Sequence, residues 1–146
     1  LLGVDLGSKT IGLAVSDPSL KIASPITTLK RSKMSSNATE FSKIIKDYHI
    51  GGIVVGLPIN MDGTEGPRVQ ATRDWSLDLA KTLIMPVAFW DERLSTVAVE
   101  RMMLKADMTR SRRAVKIDQA AAAYILQGAL DNIGMQSSRN QTPSTK

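Results

Sequence analysis

Three apolar runs fill the first thirty residues, Leu1 to Leu6, Ile11 to Ser16 and Lys21 to Leu29, and the turns between them are too short to hold a helix. Parallel neighbours need a crossover of a dozen or more residues, so runs joined this tightly pair antiparallel, as a meander. Gly7-Ser8-Lys9 and Asp17-Pro18-Ser19 supply the turn chemistry. Further along, strand and helix signals alternate. Ser36-Asn37 can cap a helix running to about Asp47, with Phe41, Ile44 and Ile45 on its apolar face. Gly51 to Leu57 reads as a short buried strand. Pro67 suits the first turn of a helix reaching about Leu83, and Met85 to Trp90 is the fifth strand. Helices over Leu94 to Lys105 and Arg113 to Ile133 complete the pattern. Strands reached through helical crossovers add in parallel. The expected architecture is therefore α/β, with a mixed five-stranded sheet (three antiparallel strands, then two parallel) flanked by helices on both faces.

A chain of 146 residues with 42% hydrophobic content fits one domain with a full core, expected over residues 1–133. Residues 134–146, polar after Gly134, read as a disordered tail. No apolar run approaches the roughly 20 residues that span a bilayer, so no membrane partner is expected. The start has no basic-then-apolar signal pattern. A cytoplasmic protein is the expectation, with an organelle as the alternative if a targeting segment once preceded Leu1, since the chain does not begin with methionine. The absence of cysteine excludes disulfides, thiolate metal sites and cysteine nucleophiles together. The only histidine, His49, follows Tyr48 at a helix end and reads as a surface residue, so any metal would be held by oxygen.

Three separated acidic sites could supply that oxygen. Asp5 interrupts the first apolar strand, between Gly3 and Gly7. Asp91-Glu92 ends the fifth strand. Asp118 shares a helix face with Ala114, Ala121 and Ile125, all spaced by three or four. An aspartate on a helix's buried stripe is costly unless a cation meets it. Carboxylates on two strands and one helix, all facing inward, suit magnesium or manganese, and with them phosphoryl chemistry. Adjacent residues leaving a strand point to opposite sides, so one of Asp91 and Glu92 would face the metal. Plainer readings stay open: Asp5 capping a turn, Asp91-Glu92 opening a helix, Asp118 paired with Arg112 or Arg113.

The formal charge of +5 favours polyanionic partners. Lys30-Arg31-Ser32-Lys33 and the stretch Arg101 to Lys116 hold much of it, either as solvated loops or as phosphate-binding groups. The candidate contacts to nucleic acid are Lys9 in the first turn, Arg68 at a helix start, Arg93, and Arg110, Arg112 and Arg113 just before Asp118. Arg93 could pair with Asp91 or Glu92, or hold a phosphate. The loop Gly56 to Pro67, with Asn60, Asp62, Gly63 and Thr64, is long enough to be a binding loop. Trp75 and Trp90 read as core, and the seven methionines, Met102 and Met103 among them, as core filler.

The segments LLGVDLGSKTIGLAVSD, GGIVVGLPINMDGTEGP, FWDERLST and DQAAAAYILQGAL, in that order, resemble the YqgF (RuvX) family of RuvC-like nucleases. The resemblance covers Leu1 to about Asn132. It implies a ribonuclease H-like fold and a nuclease that matures the precursor of small-subunit (16S) ribosomal RNA or resolves branched (Holliday junction) DNA. By analogy with RuvC-like nucleases it favours Glu92 over Asp91. Two magnesium or manganese ions bridged by Asp5, with Glu92 and Asp118 completing the set, would then hold the scissile phosphate. Two other classes compete. Asp5-Leu6-Gly7-Ser8-Lys9-Thr10 also resembles the first phosphate loop of the actin and sugar-kinase superfamily, and a non-catalytic nucleic-acid-binding module in ribosome assembly would carry the same basic character. A monomer or a homodimer fits, the dimer if a symmetric junction is cut.

Overall fold

The computed structural model describes residues 1–94 and 120–134. Strands β1 (Leu2–Leu6), β2 (Thr10–Ser16), β3 (Ala23–Lys30), β4 (Ile53–Leu57) and β5 (Val87–Asp91) form one sheet in the order β3-β2-β1-β4-β5. The first three pair antiparallel, and β4 and β5 add in parallel. Helices α1 (Met34–Tyr48) and α2 (Pro67–Leu83) make the crossovers, and residues 120–134 form a further helix, α3. The expected mixed sheet is the one observed.

Period-two alternation divides the sheet into two cores. Leu2, Val4, Ile11, Leu13, Ile53 and Val55 face α1 and α2, where Phe41 and Leu79 are fully buried. Ala14 and Val54 face α3, against Ala121, Ala122, Ile125 and Leu126. The second face is lined by small residues because α3 lies very close to it. A Cβ at Gly3 would come 2.7 Å from Leu126 Cβ and 2.9 Å from the Ala122 carbonyl oxygen. The second of these is backbone and cannot swing away. Gly3→Ala is therefore expected to cost about 1–3 kcal/mol through overpacking. Thermal unfolding should drop by roughly 2–4 °C per kcal/mol. An unchanged melting temperature would mean that α3 does not sit this close.

Several boundaries differ from the sequence reading, each for a local reason. Helix α1 starts at Met34 with Lys33 as its N-cap, not at Ser36-Asn37. Asn37 is buried inside the helix, where its Oδ1 accepts from the Ser32 N–H at 2.8 Å and its Nδ2 donates to the Lys30 carbonyl at 3.1 Å. It anchors the preceding loop and leaves the helix end uncapped. Strand β3 starts two residues after Lys21 because Asp17 Oδ1 accepts from the N–H groups of Lys21 and Ile22, both at 2.8 Å. Those bonds, with one from the Ser19 hydroxyl, hold the Asp17 carboxyl well below the usual carboxylate range. β5 starts at Val87, because Ile84 ends α2 in a left-handed conformation and the Met85 N–H still bonds the Ala80 carbonyl. β4 likewise begins at Ile53, after Gly51-Gly52.

The tryptophans are packing residues as expected. Trp75 meets Phe41 with ring centroids 6.0 Å apart, and Trp90 lies against Gly128. His49 is exposed at the C-cap of α1. Residues Glu92–Leu94 form a short 3-10 turn; beyond Leu94 the helix expected over 94–105, the start of the one expected at Arg113, Met102, Met103 and the tail from 135 onward lie outside the described residues.

Candidate active site

Asp5 is 7% exposed and projects from the central strand toward α3, the side that Gly3 also faces. Its neighbours in register are both glycines. Gly12 pairs with it directly on β2, and Gly56 follows the Val4–Val55 pair on β4. With no side chain on either flank, the space beside this carboxylate is left to groups brought in from neighbouring elements.

The second acidic site is placed by the phase of β5. Val87 and Phe89 pack into the core beneath α2, so Asp91 continues that face. Trp90 and Glu92 take the other face, toward α3 and Asp5. Gly56 pairs with Trp90, and a Cβ on Gly56 would lie 2.5 Å from Ile125 Cδ1 and 3.0 Å from Glu92 Oε2. The Glu92 carboxylate thus occupies space that any other residue at position 56 would fill. Glu92, in the turn after β5, approaches Gly56 on the sheet face that Asp5 also uses.

Asp91 is engaged elsewhere. The guanidinium of Arg93 donates from Nη2 to Asp91 Oδ2 at 2.7 Å and from Nε at 3.0 Å, while the Arg93 backbone N–H reaches Oδ1 at 2.9 Å. The Arg93 side chain holds the Asp91 carboxyl below its ordinary range, and the same bonds push the guanidinium up. Of the two partners open to Arg93 on sequence grounds, Asp91 is the one it takes.

The loop after β4 folds on itself. Asp62 Oδ1 accepts from the N–H and hydroxyl of Thr64, at 2.9 and 2.6 Å, and the Gly63 N–H bonds the Asn60 carbonyl at 2.8 Å. The Thr64 hydroxyl, with its N–H, keeps the Asp62 carboxyl low. Gly63 has φ of +89°, a left-handed turn that favours glycine, and Arg93 Nη1 lies 3.4 Å from where its Cβ would be. Between this loop and the end of β5 runs a cleft of about 290 Å3 lined by Pro58, Ile59, Asn60, Met61, Glu92 and Arg93. Pro58 follows Gly56-Leu57, which the sheet order places on this edge, whereas Ile59 and the exposed Met61 were not legible as site residues, because an apolar side chain on a loop carries no chemical signature.

Of the remaining candidates, Lys9 is exposed in the β1–β2 turn, and Arg68 is exposed in the first turn of α2. Asp118, Arg110, Arg112 and Arg113 lie outside the described residues, while Ala121 and Ile125, which share Asp118's sequence spacing, are fully buried against the sheet. Among the described residues no group of three acidic or histidine side chains gathers, and no helix is long and apolar enough to cross a membrane.

Comparison with known proteins identifies relatives of the whole chain. A protein of Rhodospirillum centenum named "Putative pre-16S rRNA nuclease" is 56% identical over 138 residues, 91% of this chain and 73% of its own. One of the same name from Roseobacter denitrificans is 56% identical over 135 residues, covering 91% and 83%. Among solved structures, Thermus thermophilus RuvC bound to a Holliday junction superposes with a TM-score of 0.56 at 14% identity, over 91% of this chain and 94% of that one. At that identity the likeness speaks for the fold alone. The profile of one family, described as "RuvX: Holliday junction resolvase", matches residues 1–132, and the chain belongs to that family.

Proposed function

We propose that this chain is a divalent-metal-dependent nuclease in which Asp5, Glu92 and Asp118 form the acidic site. The observation that carries the reading is the Glu92 carboxylate lying against Gly56, on the sheet face that Asp5 uses, where Gly12 and Gly56 add no side chains of their own. Two carboxylates converging on a recess lined by glycine fit a hard cation with oxygen ligands. Asp118 joins them by spacing, three residues before Ala121 and seven before Ile125, whose Cδ1 reaches the same glycine.

Magnesium or manganese held there would polarise a phosphate and lower the pKa of bound water. The protein's own contribution is geometric and electrostatic. Asp5 and Glu92 fix the reacting centre at the carboxyl ends of β1 and β5, the crevice where parallel sheets take ligands. Lys9 and Arg68 stand exposed at that end for backbone phosphates, and Arg93, clamped by Asp91, lines the cleft beside Glu92.

For substrate we favour precursor 16S ribosomal RNA over a four-way DNA junction. Relatives 56% identical carry the first activity in their names, whereas the junction-bound structure is 14% identical. The test incubates purified protein with a labelled precursor rRNA fragment, a four-way DNA junction and a linear duplex, with magnesium, manganese or chelator. The expected result is metal-dependent cleavage of the RNA. Hydrolysis persisting in chelator would overturn the metal site, and cleavage of the junction alone would overturn the substrate.

A further inference from the structure

The basic run Lys30-Arg31-Ser32-Lys33 is left unused by the site above, and the strand register brings it to the same end of the sheet. Gly7, just after β1, donates its N–H to the carbonyl of Thr10 on β2 at 2.8 Å, and Thr10 pairs with Lys30 on β3. Lys30 therefore lies two residues along the strands beyond the Asp5-Gly12-Thr28 row, on the sheet face that Asp5 uses, and two strand spacings or about 10 Å to the side away from β5. Lys9 stands exposed in the turn between them.

This platform is held rigidly. The Arg31 guanidinium donates to the Gly7 carbonyl at 2.9 Å, and its backbone N–H donates to the Lys9 carbonyl at 2.9 Å. Buried Asn37 fixes Ser32 and the Lys30 carbonyl from below. Arg31 and Asn37 thus act as scaffolding, and Lys9, Lys30 and Lys33 are the exposed charges they present. Neither ion pair seen among the described residues, Arg73 with Glu65 or Arg93 with Asp91, involves them.

The N-terminal end of α1 lacks the groups that would stabilise it, whereas Lys46 in the last turn suits the other end. Helix starts favour Asp, Asn, Ser or Thr at the N-cap and anions in the first turn. Here the N-cap is Lys33, no side chain caps the end, and the first turn holds no acidic residue. Cations crowded at the positive end of a helix repel it and one another. A bound anion would relieve both, and local features that oppose the fold are where function is expected.

We propose that Lys9, Lys30 and Lys33 form a phosphate-binding platform that holds the backbone of the nucleic-acid substrate on the β3 side of Asp5, opposite the cleft beside Glu92. The proposal rests on the nuclease reading for its choice of polyanion. A strand lying on it would cross the acidic recess from β3 to β5, with phosphates gripped on either side of the reacting one.

Lys30→Ala with Lys33→Ala, made in an Asp5→Asn background so that substrate stays intact, should lower the slope of log affinity against log salt. The expected fall is about 0.7–0.9 per lost phosphate contact, so about 1.4–1.8 for the pair. Precursor rRNA and DNA duplex are titrated separately; a fall with either supports the platform, and the larger fall tells which polymer it holds. Lys30→Arg with Lys33→Arg should restore the slope, which a misfolded platform would not allow. The control removes equal charge from the other end of the same helix, Lys43→Ala with Lys46→Ala, both exposed and about 15–20 Å from Lys33. An unchanged slope in the first pair, or an equal fall in the control pair, would overturn the proposal. If the Asp5→Asn parent still cleaves, the acidic-site reading fails on its own, because the slope reports binding alone.

Discussion

Asp5→Asn should abolish cleavage while leaving nucleic-acid affinity nearly unchanged. The amide keeps the shape of the carboxylate, so nothing in the packing around it, Gly12 on one side and Gly56 on the other, has to move. What changes is charge at the centre of the acidic recess. Metal-assisted stabilisation of a developing phosphoryl charge is worth several kcal/mol, and each 1.36 kcal/mol is tenfold in rate, so a loss of about 1,000-fold or more is expected. Affinity is set elsewhere, by lysines and arginines on the phosphate backbone. Single-turnover cleavage of labelled precursor rRNA, with binding measured on the same preparation, separates the two. Full activity in the variant would remove Asp5 from the reaction and leave it a buried polar group of the sheet.

How far this site could be read in advance depended on which physical signal each residue carried. Asp5 stood out because a carboxylate interrupts an otherwise apolar strand, and burial patterns survive translation into structure. The sheet order was equally legible, since turn lengths alone force the first three strands to pair antiparallel. The choice between Asp91 and Glu92 was not open to spacing. It depends on the phase of β5, and that phase is visible only in the Gly56–Trp90 pair. Asn37 misled as a helix cap because a cap and a buried loop anchor use the same side-chain chemistry. The Lys30–Lys33 run was visible as charge but had no address. Only the pairing of Lys30 with Thr10 puts it at the end of the sheet where Asp5 lies. Asp118 and the arginines before it, outside the described residues, still rest on sequence spacing.

Glu92→Gln and Asp91→Asn should separate by at least about a hundredfold in cleavage rate, with Glu92→Gln the impaired variant. Glu92 lies against Gly56 on the sheet face that Asp5 uses, so in the proposed site its charge stands where the phosphate would react. If that charge is worth about 3 kcal/mol or more there, the loss is of this order. Asp91 lies on the α2 face and its oxygens are committed to Arg93. Asp91→Asn removes one half-exposed ion pair, a small contribution to stability, and loosens the guanidinium that lines the cleft. Its consequence should be a weaker grip on substrate and a changed acid limb of stability. Arg93 lowers the Asp91 carboxyl from its ordinary value of 3.8, so the pair's contribution is present above that pH and fades as pH falls through the lowered value. Unfolding titrations of the wild type should show that fade, and Asp91→Asn should show a smaller one, left to the other lowered carboxyls, Asp17 and Asp62. The reverse outcome, an active Glu92→Gln beside a dead Asp91→Asn, would move the working carboxylate to the α2 face and leave the approach of Glu92 to Gly56 without a role in the chemistry.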